Sequence, residues 1–210
     1  MKSTIGIFIH NPQCETECAL GMIQGFVNDY NIRTFGLDEL NEDFLSTIDV
    51  VAFPGGIGDS DDFDNIFNED HILAVQNFVD NGGKYLGICM GAYWAGSYYF
   101  DLIDTTEIHQ YITRTDSDID TEYATIADVE WLDCPETMYF YDGCAIIGDD
   151  VDVIATYANG DAMAAIQDNV GMIGCHPEAL QWWFDEADMP EYYSPKHAEL
   201  MSDFVRQLVK

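Results

Sequence analysis

The sequence predicts an α/β fold, with a mostly parallel central sheet covered by helices on both faces and an antiparallel extension in the second half of the chain. In the first half, short β-branched runs alternate with longer amphipathic segments, which is the pattern of parallel strands connected by helices. In the second half, short strand-like runs follow one another between Asp-Gly, Asn-Gly and Asp-Asn turn signals, which favours antiparallel pairing.

The elements of the first half follow from apolar periodicity and from glycine at their ends. In chain order we predict a strand over 5–10, a helix over about 15–30, strands over 32–36 and 50–53, a helix over about 71–81, and a strand over 85–88. The second helix has Leu73, Val75, Phe78 and Val79 on one face and is followed by Gly82 and Gly83, which can terminate it.

The second half reads as strands over 137–141, 151–157, 162–166 and 171–175, the last of which can begin at Val170. A closing helix is predicted over about 195–209. Its residues Leu200, Phe204 and Leu208 recur every fourth position and form a core-facing stripe. Repeats and linkers are lacking, so residues 1–210 are predicted to form a single domain.

Composition narrows the functional classes. The 210 residues include 7 Lys+Arg and 39 Asp+Glu, which gives a net charge of −32 that repels phosphate backbones, so nucleic-acid binding is excluded. No apolar run reaches the roughly 18 residues of a membrane span, and the start lacks a signal-peptide cleavage region. We therefore expect a soluble cytoplasmic protein, in the host cytoplasm if it is viral. Its six cysteines lack a CxxC pair and are read as reduced thiols.

The acidic residues are interpreted as a solvated shell. A DNA-mimicking surface that captures basic proteins is an alternative reading of the same charge. Asp116, Asp118 and Asp120 begin a calcium-loop pattern, but Thr121 stands where the loop needs Gly and Ala127 where it needs a bidentate Glu. Asp59, Asp61, Asp62 and Asp64 also show no complete ligand spacing. We predict no metal ion and no other cofactor.

The most informative stretch places Cys89 between two glycines, after a strand and before a small-residue helix. This G-x-C-x-G pattern is that of a nucleophile elbow, in which Gly87 and Gly91 permit a tight turn that projects the cysteine from the edge of the sheet. A helix start at this point favours the reactive thiolate. The alternative is a buried cysteine flanked by glycines for packing.

Two further segments could complete a site with Cys89. A strand runs directly into His176-Pro177-Glu178, and on an extended chain His176 and Glu178 face the same side, as a base and its orienting carboxylate would. The pair Gly55-Gly56 follows the strand over 50–53, so the backbone N–H of Gly56 could join that of Met90 in holding an oxyanion. A simple Gly-Gly turn is the other reading.

Some residues are weaker candidates. His10, Asn11 and Cys14 follow the first strand and could line a substrate pocket at the same edge of the sheet. Cys175 reads as a core thiol. Trp182, Trp183 and Phe184 either cap the site or form a partner surface, or simply pack after the last strand.

The order P-G-G, G-x-C-x-G and H-P-E resembles the class I glutamine amidotransferase-like superfamily. YLGICMGAYWAG, ATYANGDAMAAI and GCHPE are most similar to the domain named for the N-terminal part of biotin–protein ligases. The resemblance runs from Ile5 to about Glu178. It implies a flavodoxin-like three-layer sandwich with Cys89 as nucleophile, His176 as base and Glu178 as orienting acid, and with oxyanion or substrate contacts from the Gly55-Gly56 turn and Met90.

The resemblance implies a thiol-dependent amidotransferase or amide hydrolase that releases ammonia from glutamine or a related small amide through a thioester. A synthetase or ligase subunit would be the partner that accepts the ammonia. Glutaminases of this kind commonly carry Gln where this chain has Tyr93, and a phenol cannot replace both functions of an amide. Two alternatives therefore stay open: a non-catalytic module that binds a metabolite or protein, and a cysteine peptidase-like hydrolase.

Overall fold

One mixed β-sheet forms the middle layer of the molecule in the computed structural model, which describes residues 2–11, 16–56 and 60–210. The strands are β1 (Thr4–Phe8), β2 (Asn31–Phe35), β3 (Val50–Phe53), β4 (Lys84–Ile88), β5 (Glu107–Gln110), β6 (Thr125–Trp131), β7 (Cys134–Phe140), β8 (Cys144–Ile147), β9 (Asp152–Tyr157), β10 (Ala162–Gln167) and β11 (Val170–Ile173). The helices are α1 (Thr16–Phe26), α2 (Glu42–Leu45), α3 (Phe63–Ile66), α4 (Glu69–Asp80), α5 (Met90–Tyr93), α6 (Gln181–Glu186) and α7 (Lys196–Leu208).

The sheet is parallel in one half and antiparallel in the other. Its strand order is β2-β1-β3-β4-β11-β10-β9-β6-β7, with β8 pairing with β10 and β5 off this path. The neighbours from β2 to β11 are parallel. All remaining pairs are antiparallel. The mostly parallel sheet with an antiparallel extension is therefore confirmed.

Helices cover both faces of the sheet, which confirms the three-layer architecture. On one face, α1 and α7 pack their apolar sides against the strands through Ala19, Met22, Phe26, Met201, Phe204, Val205 and Leu208. On the other face, α2 to α5 contribute Phe44, Leu45, Phe63, Ala74, Val75, Met90 and Ala92 to a second core. Burial of these apolar faces is the main force that holds the layers together. None of the helices in the described ranges is long and apolar enough to cross a membrane.

Local signals explain where α4 begins and ends. The Asn68 side chain accepts a hydrogen bond from the backbone N–H of His71 at 3.0 Å, so it caps the first turn. At the other end, Gly82 has φ +94°, a left-handed conformation that glycine adopts without steric cost. The predicted glycine stop is confirmed, and the helix starts two residues before the predicted His71 because of the Asn68 cap.

The structure also corrects some boundaries. The first strand ends at Phe8 and α1 ends at Phe26, earlier than predicted, while the predicted first residue of α1, Glu15, lies outside the described residues. Strand β11 is antiparallel to β10, as expected, but parallel to β4, which the turn signals did not indicate. The elements without a matching prediction are β5, β6, β8, α2, α3 and α6. The three helices among these span two turns at most, too little for a clear 3.6-residue period.

Candidate active site

Cys89 lies at the sharp turn between β4 and α5. Its backbone has φ +50° and ψ −109°, a strained conformation for a residue with a side chain. A Cβ on Gly87 would lie 2.2 Å from the carbonyl oxygen of Gly91, and a Cβ on Gly91 would lie 2.0 Å from that of Phe53. Both elbow positions therefore require glycine, because no Cβ fits at either distance.

The register of two parallel strands brings the His-Pro-Glu segment beside this turn. Ile88 of β4 is paired with Ile173 of β11, and the Cys89 N–H donates to the Ile173 carbonyl at 2.8 Å. Because the carboxyl ends of parallel strands meet at one edge of a sheet, the residues that follow β11 lie next to Cys89. The missed parallel pairing is thus what joins the two halves of the candidate site.

His176 and Glu178 form a buried pair at this edge. Their Nδ1 and Oε1 atoms lie 2.9 Å apart, and the residues are 4% and 1% exposed. The carboxylate accepts the Nδ1 proton and so orients the ring. Helix α1 supports the pair from behind, since a Cβ on Gly21 would lie 2.2 Å from the Glu178 carbonyl oxygen.

Gly55, which follows β3, lies where the cysteine and the imidazole meet. A Cβ at this position would lie 2.6 Å from His176 Cε1 and 3.3 Å from the Cβ of Cys89. The structure therefore brings together three segments that are far apart in the sequence. In the resting arrangement the Cys89 thiol donates to the Tyr141 carbonyl at 3.4 Å. Among the described residues, His176 Nε2 is buried without a hydrogen-bond partner.

The electrostatic environment favours a protonated His176. Burial acts to lower the pKa of His176, but the negative charges of Cys89 and Glu178 and the hydrogen bond with Glu178 outweigh it and hold this pKa well above its usual value. Burial raises the pKa of two neighbouring thiols, Cys144 and Cys175, and so keeps both of them protonated. Cys175 is fully buried in the core, in keeping with its interpretation as a core thiol.

Gly56 and Met90 present backbone N–H groups at the same edge. In the described part of the chain neither N–H donates to a protein acceptor. Gly56 also lines a cavity that His176 borders. Helix α5 has only four residues, so the macrodipole expected after the elbow is small, and His176 is the principal positive charge available to Cys89.

The remaining candidates occupy different positions around the edge. The Tyr93 hydroxyl donates to the Asp142 carbonyl at 3.3 Å, and burial together with the nearby Cys144 and Cys89 raises the pKa of Tyr93. His10 follows β1 with its ring stacked 6.1 Å from that of Phe8, and Asn11 is exposed. Their substrate-binding role stays a prediction, and Cys14 lies outside the described residues.

An aromatic cavity of about 330 Å³ opens beside His176. It is lined by Glu17, Cys18, Gly56, Ala124, Tyr139, Tyr141, His176, Trp182, Trp183, Glu186 and Ala187. The Trp183 ring packs edge-on to the imidazole at 5.7 Å, and the Tyr139 ring does so at 6.0 Å. Trp182 and Trp183 therefore border the site, whereas Phe184 is buried beneath it. The sequence did not identify Tyr139 and Tyr141 as cavity residues, because the residues around an aromatic side chain in a strand do not indicate what that side chain faces.

A metal-dependent site has no support in residues 2–11, 16–56 and 60–210, where no group of three or more His, Cys, Asp or Glu side chains could hold a metal ion. The Asp118 carboxylate of the calcium-like stretch accepts a hydrogen bond from the Tyr111 hydroxyl at 2.6 Å. It thus fixes a core tyrosine. Asp59 of the other acidic stretch lies outside the described residues.

Comparison with known proteins identifies the fold. Residues 11–109 match the family described as "Biotin-protein ligase, N terminal", which confirms the resemblance for the part of the chain that contains the Gly55-Gly56 pair and the Cys89 turn. No curated protein sequence matches the chain. A glutamine amidotransferase from Thermotoga maritima has a similar structure, with a TM-score of 0.71 at 10% identity over 100% of this chain and 99% of that one.

Two other solved structures show how widely this fold is used. PurLQS from Thermotoga maritima matches with a TM-score of 0.62 at 14% identity, over 99% of this chain and 100% of that chain. The exo-β-1,4-mannosidase Op5Man5 from Opitutaceae bacterium strain TAV5 matches with a TM-score of 0.57 at 13% identity, over 90% of this chain but only 35% of that one. At these identities the likeness establishes the fold that these structures share, and the chemistry has to be argued from the site.

Proposed function

We propose that this protein hydrolyses a small carboxamide and releases ammonia, using Cys89 as nucleophile, His176 as acid and base, and Glu178 as the group that orients His176. The observation that carries the proposal is the buried His176–Glu178 pair at 2.9 Å, set against a cysteine on a strained strand-to-helix turn. A base held by a third group next to a nucleophile is the arrangement that thiol catalysis needs.

The first half of the reaction forms a thioester. The Cys89 sulfur turns from the Tyr141 carbonyl toward His176, which holds its proton, and the two groups form a thiolate–imidazolium pair. The thiolate then attacks the carboxamide carbon, and the negative charge moves to the carbonyl oxygen, where the N–H groups of Gly56 and Met90 stabilise it, each contributing about 3 kcal/mol. The imidazolium passes its proton to the departing nitrogen, the carbon–nitrogen bond breaks, and ammonia leaves.

The second half returns the enzyme to its starting state. Water gives a proton to His176 and attacks the thioester carbon, again through an oxyanion at the same site. The carbon–sulfur bond breaks, the imidazolium returns its proton to the sulfur, and a carboxylic acid is released. The family resemblance adds a synthetase or ligase subunit as the acceptor of the ammonia, and that partnership is part of this proposal.

A non-catalytic binding module is the second candidate. One observation favours it: a similar fold covers only a third of a mannosidase, so proteins of other chemistry also contain it. Tyr93 adds to this argument, because it stands where related glutaminases carry a substrate-binding Gln. In that case the aromatic cavity would bind its ligand without turnover.

Selective alkylation of Cys89 separates these two functions. The chain offers an internal control, since Cys134 is an exposed thiol outside the site. Iodoacetamide is small, neutral and itself a carboxamide. We expect it to modify Cys89 at least about tenfold faster than Cys134, as measured by peptide mass spectrometry, because only Cys89 has an imidazole beside it.

Ammonia release then tests turnover. Assayed on a panel of small carboxamides, the protein should lose activity by about 100-fold or more in Cys89→Ala and in His176→Asn, and should keep it in Cys134→Ala. Equal alkylation of the two thiols, with no ammonia from any amide, would reject the enzyme in favour of the binding module. Cleavage of peptides without ammonia release would instead indicate a peptidase.

A further inference from the structure

We propose that the cavity beside His176 selects a carboxamide with an apolar body that bears a positive charge. It disfavours glutamine, because that amino acid has a free carboxylate. This inference rests on the proposed function and names the substrate class. A cavity of about 330 Å³ is at the small end of ligand pockets, which suits an amino-acid amide.

The walls of the cavity favour an apolar body that bears a cation. Four aromatic side chains line it, namely Tyr139, Tyr141, Trp182 and Trp183. Aromatic faces attract ammonium and guanidinium groups through the ring quadrupole, and Trp does so most strongly. Apolar methylene groups gain contact area on the same rings. These walls therefore suit an alkylammonium side chain.

Apart from His176, which pairs with Glu178, the charged side chains at the cavity have only one sign. Glu17 and Glu186 line it, and no Lys or Arg does. This holds for the whole chain, because Met1, residues 12–15 and residues 57–59 include neither Lys nor Arg. A substrate carboxylate would thus meet two like charges and no basic side chain other than His176, which Glu178 already engages, whereas a substrate ammonium would meet two acceptors.

The basic residues of the chain are engaged elsewhere. Arg114 pairs with Asp161 and Lys196 with Glu136, while Arg206 interacts with Asp29 and Asp203. Lys2 donates to the carbonyl of Asn28, Arg33 lies over the Phe44 ring and Lys84 donates to Asn169. These contacts hold six of the seven basic residues away from the cavity, and the seventh, Lys210, is the C-terminal residue.

A polar donor in the wall could fix the orientation of the substrate. The Trp183 indole N–H is buried and has no hydrogen-bond partner among the described residues, although the side chain borders the cavity. An unpaired buried donor is costly unless a ligand satisfies it. The carbonyl oxygen of an Nα-acyl group, as in a peptide-like amide, would accept this hydrogen bond, whereas glutamine carries a free amine at that position.

Charged thiol reagents test the polarity of the cavity without requiring turnover. We would compare methanethiosulfonates that carry a trimethylammonium, a methyl or a sulfonate group, and measure their rates at Cys89 and at Cys134 in the same molecule by mass spectrometry. The rates at Cys134 measure how strongly the overall negative charge of the protein attracts the cationic reagent and repels the anionic one. We expect the ratio of cationic to anionic rate to be at least about tenfold larger at Cys89 than at Cys134.

Neutralising the two cavity carboxylates should remove this excess. In the double variant Glu17→Gln/Glu186→Gln, the ratio at Cys89 should fall to that at Cys134, and Glu186→Lys should favour the anionic reagent. The matched control is Asp185→Asn, an exposed carboxylate on the same helix α6 that does not line the cavity, and it should leave the ratio unchanged.

Matched amides test the same preference in turnover. Nα-acetyl-lysinamide, Nα-acetyl-norleucinamide and Nα-acetyl-isoglutamine share an α-carboxamide and carry a cation, no charge and an anion, respectively. Ammonia release should fall in that order by about tenfold per step, with glutamine no better than the anionic amide. Use of glutamine equal to or better than that of the lysinamide would overturn the inference.

The two levels of the proposal fail in different ways. If Cys89 reacts with every reagent no faster than Cys134 and no amide yields ammonia, the proposed function itself is wrong. If Cys89 is selectively reactive and an amide yields ammonia, but neither measurement shows a preference for a cation, the enzyme stands and only the substrate class is rejected.

Discussion

At the scale of single residues, His176 keeps its proton because two negatively charged side chains lie beside it in a buried site. Burial alone would lower the pKa of His176, so the raised value reflects interaction with Cys89 and Glu178. The pair with Glu178 therefore stabilises the fold fully below the unfolded pKa of about 6.5, and this contribution is lost as the pH rises through the raised folded value.

Glu178→Gln should lower the pKa of His176, because the amide keeps a hydrogen-bond acceptor but removes the negative charge. We expect ammonia release to drop by about 100-fold or more. The deficit in free energy of unfolding relative to the unchanged protein should be largest at about pH 6.5 and just below it, and should shrink as the pH rises. Ring nitrogen chemical shifts of His176, followed by NMR across the same pH range, measure the titration directly.

The control for this change is Glu107→Gln. Glu107 lies 2.8 Å from His109, also two residues away, but this pair is on the surface. Exposed ion pairs contribute little, so both activity and the pH profile of stability should be unchanged. A loss of activity in Glu107→Gln similar to that in Glu178→Gln would show that the effect is not specific to the buried pair.

At the scale of elements, the β4–α5 turn works only because two of its positions have no side chain. Gly91→Ala would force a Cβ toward the Phe53 carbonyl oxygen, which is 2.0 Å from its ideal position. We expect the free energy of unfolding to fall by about 3 kcal/mol and the selective alkylation of Cys89 to be lost, since the turn must open. Urea titration and iodoacetamide labelling measure the two effects.

Gly36→Ala provides the comparison. A Cβ there would meet only the Ile9 carbonyl oxygen at 3.9 Å, and the φ of −112° suits any residue. Stability should stay the same or rise by up to about 1 kcal/mol, through reduced freedom of the unfolded chain, and Cys89 should keep its reactivity. Equal effects of the two substitutions would contradict the steric account of the turn.

Local patterns were sufficient to predict most of the elements that position the candidate site. A glycine on each side of Cys89, two glycines after β3, and a His-Pro-Glu run after β11 each have a short-range physical cause in the sequence. The strand-to-helix turn and the buried His176–Glu178 contact are therefore where these patterns led us to expect them. Their catalytic roles remain the proposal made above.

The features that the sequence could not indicate depend on contacts between segments that are far apart in the chain. The parallel pairing of β11 with β4 joins residues more than eighty positions apart, and an apolar strand does not name its neighbour. The same is true of Gly21, which resembles any helix glycine until Glu178 is found against it. The aromatic cavity combines β7, α1 and α6, so only the assembled fold reveals that Glu17 and Glu186 line it together.

At the scale of the whole molecule, seven basic residues cannot neutralise 39 acidic ones, so most carboxylates repel one another through solvent. Self-repulsion lowers the stability of a compact state, and dissolved salt screens it. Between about 0.01 M and about 1 M salt the Debye length falls from roughly 30 Å to roughly 3 Å, which removes all but the nearest interactions. Screening should therefore stabilise this fold more than it stabilises a protein of balanced charge.

We expect the melting temperature to rise by several degrees across this range of sodium chloride, measured by calorimetry at constant pH. The variant Asp149→Asn/Asp150→Asn/Asp188→Asn neutralises three exposed carboxylates outside the candidate site. It should melt higher than the unchanged protein at low salt and respond less to added salt, because less repulsion is left to screen. Sucrose, which carries no charge, should not remove the difference between the two proteins. If both proteins respond identically to salt, the stabilisation comes from solvent exclusion rather than from charge screening.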